Sequence, residues 1–291
     1  MDRITPELLQ RGIELMNSLG KVPSRLQLME YLGIKENLAR KLYGVLEHLD
    51  LFTNDRVSLK VPSPAGSIRI GAIADLHVGS KVCYEDALKR YLLLANDRTD
   101  VLFIAGDLID GFGVYRGQQF ELAYPSVEDQ VGKLVEILEL YEKPIYFITG
   151  NHEESVYKAT GIDVGNMIKG KNRTYLGFHL ANTKINNLKI DLWHGRGASA
   201  YALSYKLQKL VEQYLSGKKP HIVFSGHWHR AFHMPTYRNI DGFECGTFQG
   251  ETRLTKQMGI FPQIGGWFIN VEYAEDGTPI VIGGEFWRVY I

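Results

Sequence analysis

The chain has only two cysteines, Cys83 and Cys245, in 291 residues. That excludes a disulfide framework and a structural zinc held by four thiolates, and it fits a reducing compartment. No apolar run approaches the ~18 residues that a membrane-spanning helix needs, and acids interrupt the segment Met1–Gln10, so no membrane partner is expected. Neither sign of charge is in excess, because 33 Lys and Arg balance 33 Asp and Glu. A neutral chain has no overall attraction for nucleic acid, so a polyanion has to be held by a local feature such as a metal site. A hydrophobic content of 45% excludes disorder, and a cytoplasmic globular protein is the expectation.

Proline is sparse too, yet two of the ten fall in Val61-Pro-Ser-Pro-Ala-Gly-Ser67, which cannot continue a helix. This break predicts a small domain over residues 1–60, a linker over 61–67 and a large domain over 68–291. In the small domain Leu9, Ile13 and Met16 have helical spacing between Pro6 and Leu19. Ser24 and Gln27 have capping-box spacing for a second helix that Gly33 ends. Glu36 to Leu49 predicts a third helix with Leu38, Leu42, Val45 and Leu49 as its apolar stripe. With the strand-like Arg56–Val61, the order resembles a winged helix-turn-helix. Asn37, Arg40 and Lys41 share the polar face of the third helix and would meet phosphates or bases if it enters a groove. Nine basic against eight acidic residues in this segment also allow a protein contact.

The large domain repeats one grammar, an apolar strand that ends abruptly in a polar cluster. Ile68–Ala74 runs into Asp75-Leu-His77, Val101–Ala105 into Gly106-Asp107, and Ile145–Thr149 into Gly150-Asn-His-Glu153. Ile190–Trp193 runs into His194-Gly195-Arg196, and Ile222–Ser225 into Gly226-His-Trp-His229. Helical stretches at Ser126–Tyr141 and Ala198–Leu215 imply α/β connectivity, in which chemistry collects at the carboxyl ends of strands. Beyond Met258 the pattern turns to strands at Trp267–Tyr273 and Pro279–Ile282, expected to build a second sheet packed on the first.

Asp75 and His77 are two residues apart, which on extended backbone puts both side chains on one side, able to grip one ion; His227 and His229 repeat the spacing. Asp107 adds a carboxylate able to bridge two cations, and Asn151 a neutral amide oxygen from a turn where Gly150 permits unusual backbone angles. Imidazole with carboxylate and amide oxygen, without thiolate, suits manganese, iron or zinc. Two divalent ions sharing a carboxylate form a clamp for in-line displacement at phosphorus, the attacking oxygen being a water that both ions acidify.

The order Asp75-x-His77, Gly106-Asp107, Gly150-Asn-His-Glu153, His194-Gly, Gly226-His-x-His229 resembles the calcineurin-like metallophosphoesterase family. The resemblance implies a two-sheet α/β/β/α sandwich and a pair of divalent ions, manganese first, with iron, zinc or nickel as alternatives. It also implies that Asp75, His77, Asp107 and His229 hold one ion, while Asp107 bridges to a second held by Asn151, His194 and His227. His152 would then be the catalytic acid beside the leaving oxygen rather than a ligand, and Glu153 would orient its neighbours.

Ala105–Tyr115 with Gly117-Gln118, His194-Gly-Arg196 and Gly246-Thr-Phe-Gln249 look like the small exonuclease subunits of archaeal family D DNA polymerases, and more distantly like the metallonucleases of double-strand-break repair. That resemblance implies 3′-to-5′ cleavage of DNA, with a replication or repair protein as a possible partner. Tyr115, Arg116, Arg196 and Gln249 are the candidates for touching substrate, Tyr115 by stacking on a terminal base. A phosphodiesterase or phosphatase of small nucleotides, or a DNA-binding scaffold without catalysis, are the alternative functions.

Overall fold

The computed structural model describes residues 4–19, 23–53, 56–214 and 218–290. Two compact units emerge, one of residues 1–55 with 215–218 and one of the remainder.

In the small unit three helices, α1 (Pro6–Leu19), α2 (Arg25–Leu32) and α3 (Glu36–Thr53), bury one apolar cluster. The Ser24 side chain accepts from the Gln27 amide while the Gln27 side chain accepts from the Ser24 amide, so the expected capping box starts α2. Gly33, in left-handed conformation at φ 65°, ends it. The stripe that α3 buries is Ala39, Leu42 and Leu46, with Leu38 and Val45 at its margin; the side chain of Leu49 lies outside the described residues. Asn37, Arg40 and Lys41 are exposed on the other face.

The large unit runs β1 (Val57–Leu59), β2 (Ser67–Ile73), α4 (Glu85–Arg98), β3 (Val101–Ala105), α5 (Val127–Leu138), β4 (Ile145–Thr149), α6 (Asn151–Thr160), α7 (Val164–Ile168) and β5 (Arg173–Phe178). It continues through β6 (Leu180–Ile185), β7 (Leu188–His194), α8 (Tyr205–Gln213), β8 (Ile222–Gly226), β9 (Ala231–Tyr237), β10 (Ile240–Cys245), α9 (Arg253–Gln257), β11 (Gly265–Tyr273) and β12 (Pro279–Arg288). Its strands form two six-stranded sheets, ordered β12-β11-β2-β3-β4-β5 and β1-β6-β7-β8-β10-β9.

The sheets pack face to face through Ile70, Phe103 and Ile148 on one side and Ile190, Phe224 and Phe243 on the other. Helices α4, α5, α6 and α7 cover the outer face of the first sheet through Leu88, Tyr91, Leu134 and Val156, and α8 lies against β9 and β10. This is the α/β/β/α sandwich. No helix among the described residues is long and apolar enough to cross a membrane.

Three expectations change. Strands β11 and β12 do not build the second sheet; β11 pairs antiparallel with β2 and extends the first one. The alternation of Trp267, Ile269 and Val271 fits that place, because these side chains enter the core between the sheets while Phe268 joins the core under the helices. The Arg56–Val61 strand is no wing of the helical unit: β1 pairs parallel with β6, and Arg56 forms an ion pair with the buried Asp191 of β7. Helix α8 begins at Tyr205 rather than Ala198. The carbonyls of Gly197 and Ala200, which a helix would use internally, accept instead from Trp228 and Arg230. Leu215, the expected end of that helix, lies outside the described residues.

Candidate metal centre

Strands β2, β3, β4, β7 and β8 end on one side of the sandwich, where Asp75, His77, Asp107, Asn151, His152, His194, His227 and His229 come together. The backbone takes unusual forms to do this. Asp75 (φ 53°), His77 (φ 47°), Asp107 (φ 50°), His227 (φ 93°) and His229 (φ 56°) are all left-handed, a region that non-glycine residues seldom enter. Asp75 and His77 therefore converge from left-handed backbone, not from the extended backbone that their spacing suggested. Such conformations cost about 1–3 kcal/mol each, and backbone bonds hold them: the Asp75 amide donates to the Gly106 carbonyl and the His77 amide to the Asp107 carbonyl.

Gly150 departs from expectation in the opposite sense. Its φ of −116° is ordinary extended backbone, so conformation does not demand glycine. Space does, for a Cβ there would lie 2.3 Å from Asp107 Oδ1 and 2.6 Å from His194 Nε2.

Two trios of ligand atoms lie side by side, Asp75 with His77 and His229, and Asp107 with His194 and His227. Asp107 Oδ2 stands between them, 4.0 Å from His77 Nε2 and 3.1 Å from His194 Nε2. Asn151 Oδ1 closes the second group at 3.1 Å from His194 Nε2 and 2.8 Å from His227 Nδ1. His152 Nε2 lies 3.9 Å from Asp107 Oδ2, and His77, Asp107 and His152 form a further trio within ligand reach.

The outer hydrogen bonds fix which ring nitrogen points inward. His77 Nδ1 donates to Asp110 Oδ1 at 3.1 Å, His194 Nδ1 to the Ala105 carbonyl at 2.8 Å, and His152 Nδ1 to the Asp110 carbonyl at 2.6 Å. His227 Nε2 donates to the Gly197 carbonyl at 3.0 Å, which leaves its Nδ1 lone pair facing the Asn151 oxygen. Lone pairs thus oppose lone pairs across the centre, an arrangement that repels unless a cation or a proton lies between.

The electrostatics repeat this. Burial disfavours the charged form of His194, yet Asp107 and Asp75 outweigh it and push its pKa up to about 9, so a proton stands where a cation fits. Burial and the neighbouring His194 lower His227 to about 4. Burial, with like charge nearby, lowers His77 and His229, which keeps those imidazoles neutral and ready to donate a lone pair. Burial raises Asp107, but His194, His152 and His77 together hold it well below the usual carboxylate range. The donor set fits divalent cations of the manganese, iron and zinc type.

The calcineurin-like phosphoesterase family model matches residues 68–231. The chain belongs to this family. Among curated proteins, this chain is similar to the DNA polymerase II small subunit of Pyrococcus furiosus, at 27% identity over 242 residues, covering 65% of this chain and 39% of the relative. The DNA polymerase II small subunit of Methanocaldococcus jannaschii is 24% identical over 291 residues, covering 84% of this chain and 48% of the relative. The chain thus spans half or less of the length of these relatives. Among solved structures, a dimetal phosphatase from Danio rerio aligns at 10% identity and TM-score 0.43, over 76% of this chain and 96% of that one. A 5′-nucleotidase precursor from Thermus thermophilus aligns at 11% identity and TM-score 0.40, over 76% of this chain and 54% of that one.

The other expected site residues are scattered. Tyr115 lines the cavity over the metal centre, its hydroxyl bonded to Glu121. Gln249 lines it as well but is buried, and its side-chain amide donates to Asp110 Oδ1 at 2.9 Å. Arg116 is exposed, and Arg196 lies exposed with its guanidinium 3.7 Å from Glu154. Asn37, Arg40 and Lys41 belong to the other unit.

Glu153 is fully buried and accepts the amides of Ile109 and Gly150 at 2.9 and 2.8 Å, tying two ligand loops together. Asp110 escaped the sequence reading. It receives His77, Gln118 and Gln249, and its carbonyl receives His152. The available signal was a second carboxylate three residues after Asp107 in the same loop.

Proposed function

We infer that the chain is a divalent-metal-dependent phosphodiesterase acting on DNA, removing nucleotides in the 3′-to-5′ direction. The observation that carries the diesterase reading is Asp107 Oδ2 lying between two groups of imidazole and carboxylate ligands. Asp75, His77, Asp107 and His229 would hold one cation, and Asp107, Asn151, His194 and His227 the other. When bound, such a pair polarises the phosphoryl oxygens and brings the pKa of a water toward neutrality.

The protein's own groups do the rest. The left-handed backbone at Asp75, His77, Asp107, His227 and His229 holds the ligand atoms in place before substrate arrives, which removes reorganisation from the barrier. His152 donates its Nδ1 proton to the Asp110 carbonyl, so its Nε2 faces the cavity and can carry a proton to the departing oxygen. Asp110, fixed by Gln118 and Gln249, keeps His77 in the tautomer that offers Nε2 inward.

The likeness to DNA polymerase II small subunits supports DNA as the substrate, and a polymerase or repair protein as partner. The exposed Asn37, Arg40 and Lys41 would grip the strand. Balanced charge over the whole chain favours a second reading, a phosphodiesterase of small nucleotides. The test uses single-stranded oligonucleotides labelled at either end, manganese, and Asp107→Asn as control. A ladder shortening from the 3′ end, absent with the variant, is the expected result. Intact strands beside rapid hydrolysis of a small diester would favour the second reading.

A further inference from the structure

Over the metal centre lies a cavity of about 130 Å³ whose two sides differ in chemistry. Its floor is polar and includes Asp107, Asn151 and His152, whereas one wall is apolar, made by Val114, Tyr115, Leu254, Met258 and Ile260. A phosphate ester needs only the floor. An apolar wall beside an ionic floor suits a ligand with a charged end and a flat unsaturated body.

The state of Tyr115 sharpens this. Its hydroxyl donates to Glu121 Oε2, and Glu121 Oε1 accepts the Arg253 amide at 3.1 Å, at the start of α9. One carboxylate therefore ties the Tyr115 loop to the helix that carries Leu254. With its hydroxyl committed, what Tyr115 offers the cavity is the ring. Met258 in the same wall is unbranched and polarizable, a side chain that adapts to flat partners of different outline.

We propose that this wall is a nucleobase subsite, with Tyr115 as the stacking residue. The ester on the floor is then that of one terminal nucleotide, and the base is held by its face rather than by its edge. The proposal rests on the phosphodiesterase reading of the same centre.

Binding separates the two. With manganese-loaded protein, calorimetry compares thymidine 5′-monophosphate with deoxyribose 5-phosphate, which carries the phosphate without the base. The nucleotide is expected to bind roughly five- to hundredfold more tightly, the range for stacking one base on an aromatic ring. Tyr115→Ala is expected to bring the ratio of the two affinities close to one, and Tyr115→Phe to keep most of it. Met258→Ser, at a side chain that is half exposed, should lower the ratio in the same sense.

Equal affinities in the unaltered protein, or an unchanged ratio in both Tyr115→Ala and Met258→Ser, would overturn the subsite. A Tyr115→Phe protein as impaired as Tyr115→Ala would overturn the role of the ring. Hydrolysis of methyl p-nitrophenyl phosphate, which has no base, reports the phosphodiesterase reading separately. Its failure beside a retained nucleotide preference would refute the reaction and leave the subsite standing.

Discussion

Adding one methyl group at Gly150 probes the centre without deleting any ligand. Alanine meets no backbone penalty at φ −116°, yet its Cβ would lie 2.3 Å from Asp107 Oδ1 and 2.6 Å from His194 Nε2. Non-bonded atoms settle at ~3.5 Å, so the shared carboxylate and an imidazole must each retreat by about 1 Å. Misplacing reacting groups by that much lowers rates about 100-fold, or roughly 2.7 kcal/mol of transition-state stabilisation. Folding should suffer less. Overpacking costs roughly 1–3 kcal/mol, offset in part by the ~0.4–1 kcal/mol that a Gly-to-Ala change gains from a less free unfolded chain.

The assay measures three quantities on Gly150→Ala: manganese affinity by calorimetry, hydrolysis of bis(p-nitrophenyl) phosphate, and the melting temperature in chelator. Manganese affinity is expected to fall at least tenfold and turnover about 100-fold, with the melting temperature lowered by less than ~10 °C. A folded variant with unaltered manganese affinity and turnover would refute the placement of Asp107 and His194 around the ions.

Asp107→Asn is expected to release both cations together, read as metal content after gel filtration; retention of one would contradict the shared carboxylate. His152→Ala should keep its metal while turnover falls about 100-fold or more, and full activity would remove His152 from the reaction. Exchanging Arg40 and Lys41 for Glu should weaken oligonucleotide binding, in a fluorescence anisotropy titration, without changing hydrolysis of a small diester. Burial, only partly relieved by Arg230 at 3.5 Å, raises Glu244 to about 7, and neither carboxylate oxygen has a hydrogen-bond partner among the described residues. Because the folded value lies above the unfolded one, this group's contribution is full below about pH 4.5 and fades as pH rises toward 7, by about 3 kcal/mol in all. Glu244→Gln should therefore melt closer to the parent protein at pH 5 and above it at pH 8, and parallel pH profiles would show that Glu244 does not titrate in this range.

The strand ends were legible because each carries its ligand next to an apolar run, and β3, β4 and the bounds of α1 coincide with the expectation. The capping box of α2 was legible for the same reason, being wholly local. What depends on distant residues was not. The place of β11 beside β2 follows from a register between segments at opposite ends of the large unit, on which periodicity is silent. Gly150 was assigned to conformation when the reason is crowding, because only the assembled site brings Asp107 and His194 against it. Asp110 was passed over since a carboxylate bonded to a histidine looks, in a linear sequence, like any polar loop residue.

The partnership of β2 and β11 has a consequence for how the protein is made. Ile70 pairs with Ile269, about 200 residues later in the chain. At synthesis rates of roughly 5–20 residues per second, β2 leaves the ribosome about 10–40 seconds before the strand that covers its free edge. During that interval a buried apolar strand presents unpaired amides and carbonyls to the cell, the condition under which edges find the wrong neighbour. Nascent chains halted before Gly265 therefore hold every residue of the metal centre and are still the form that a holdase chaperone should recognise.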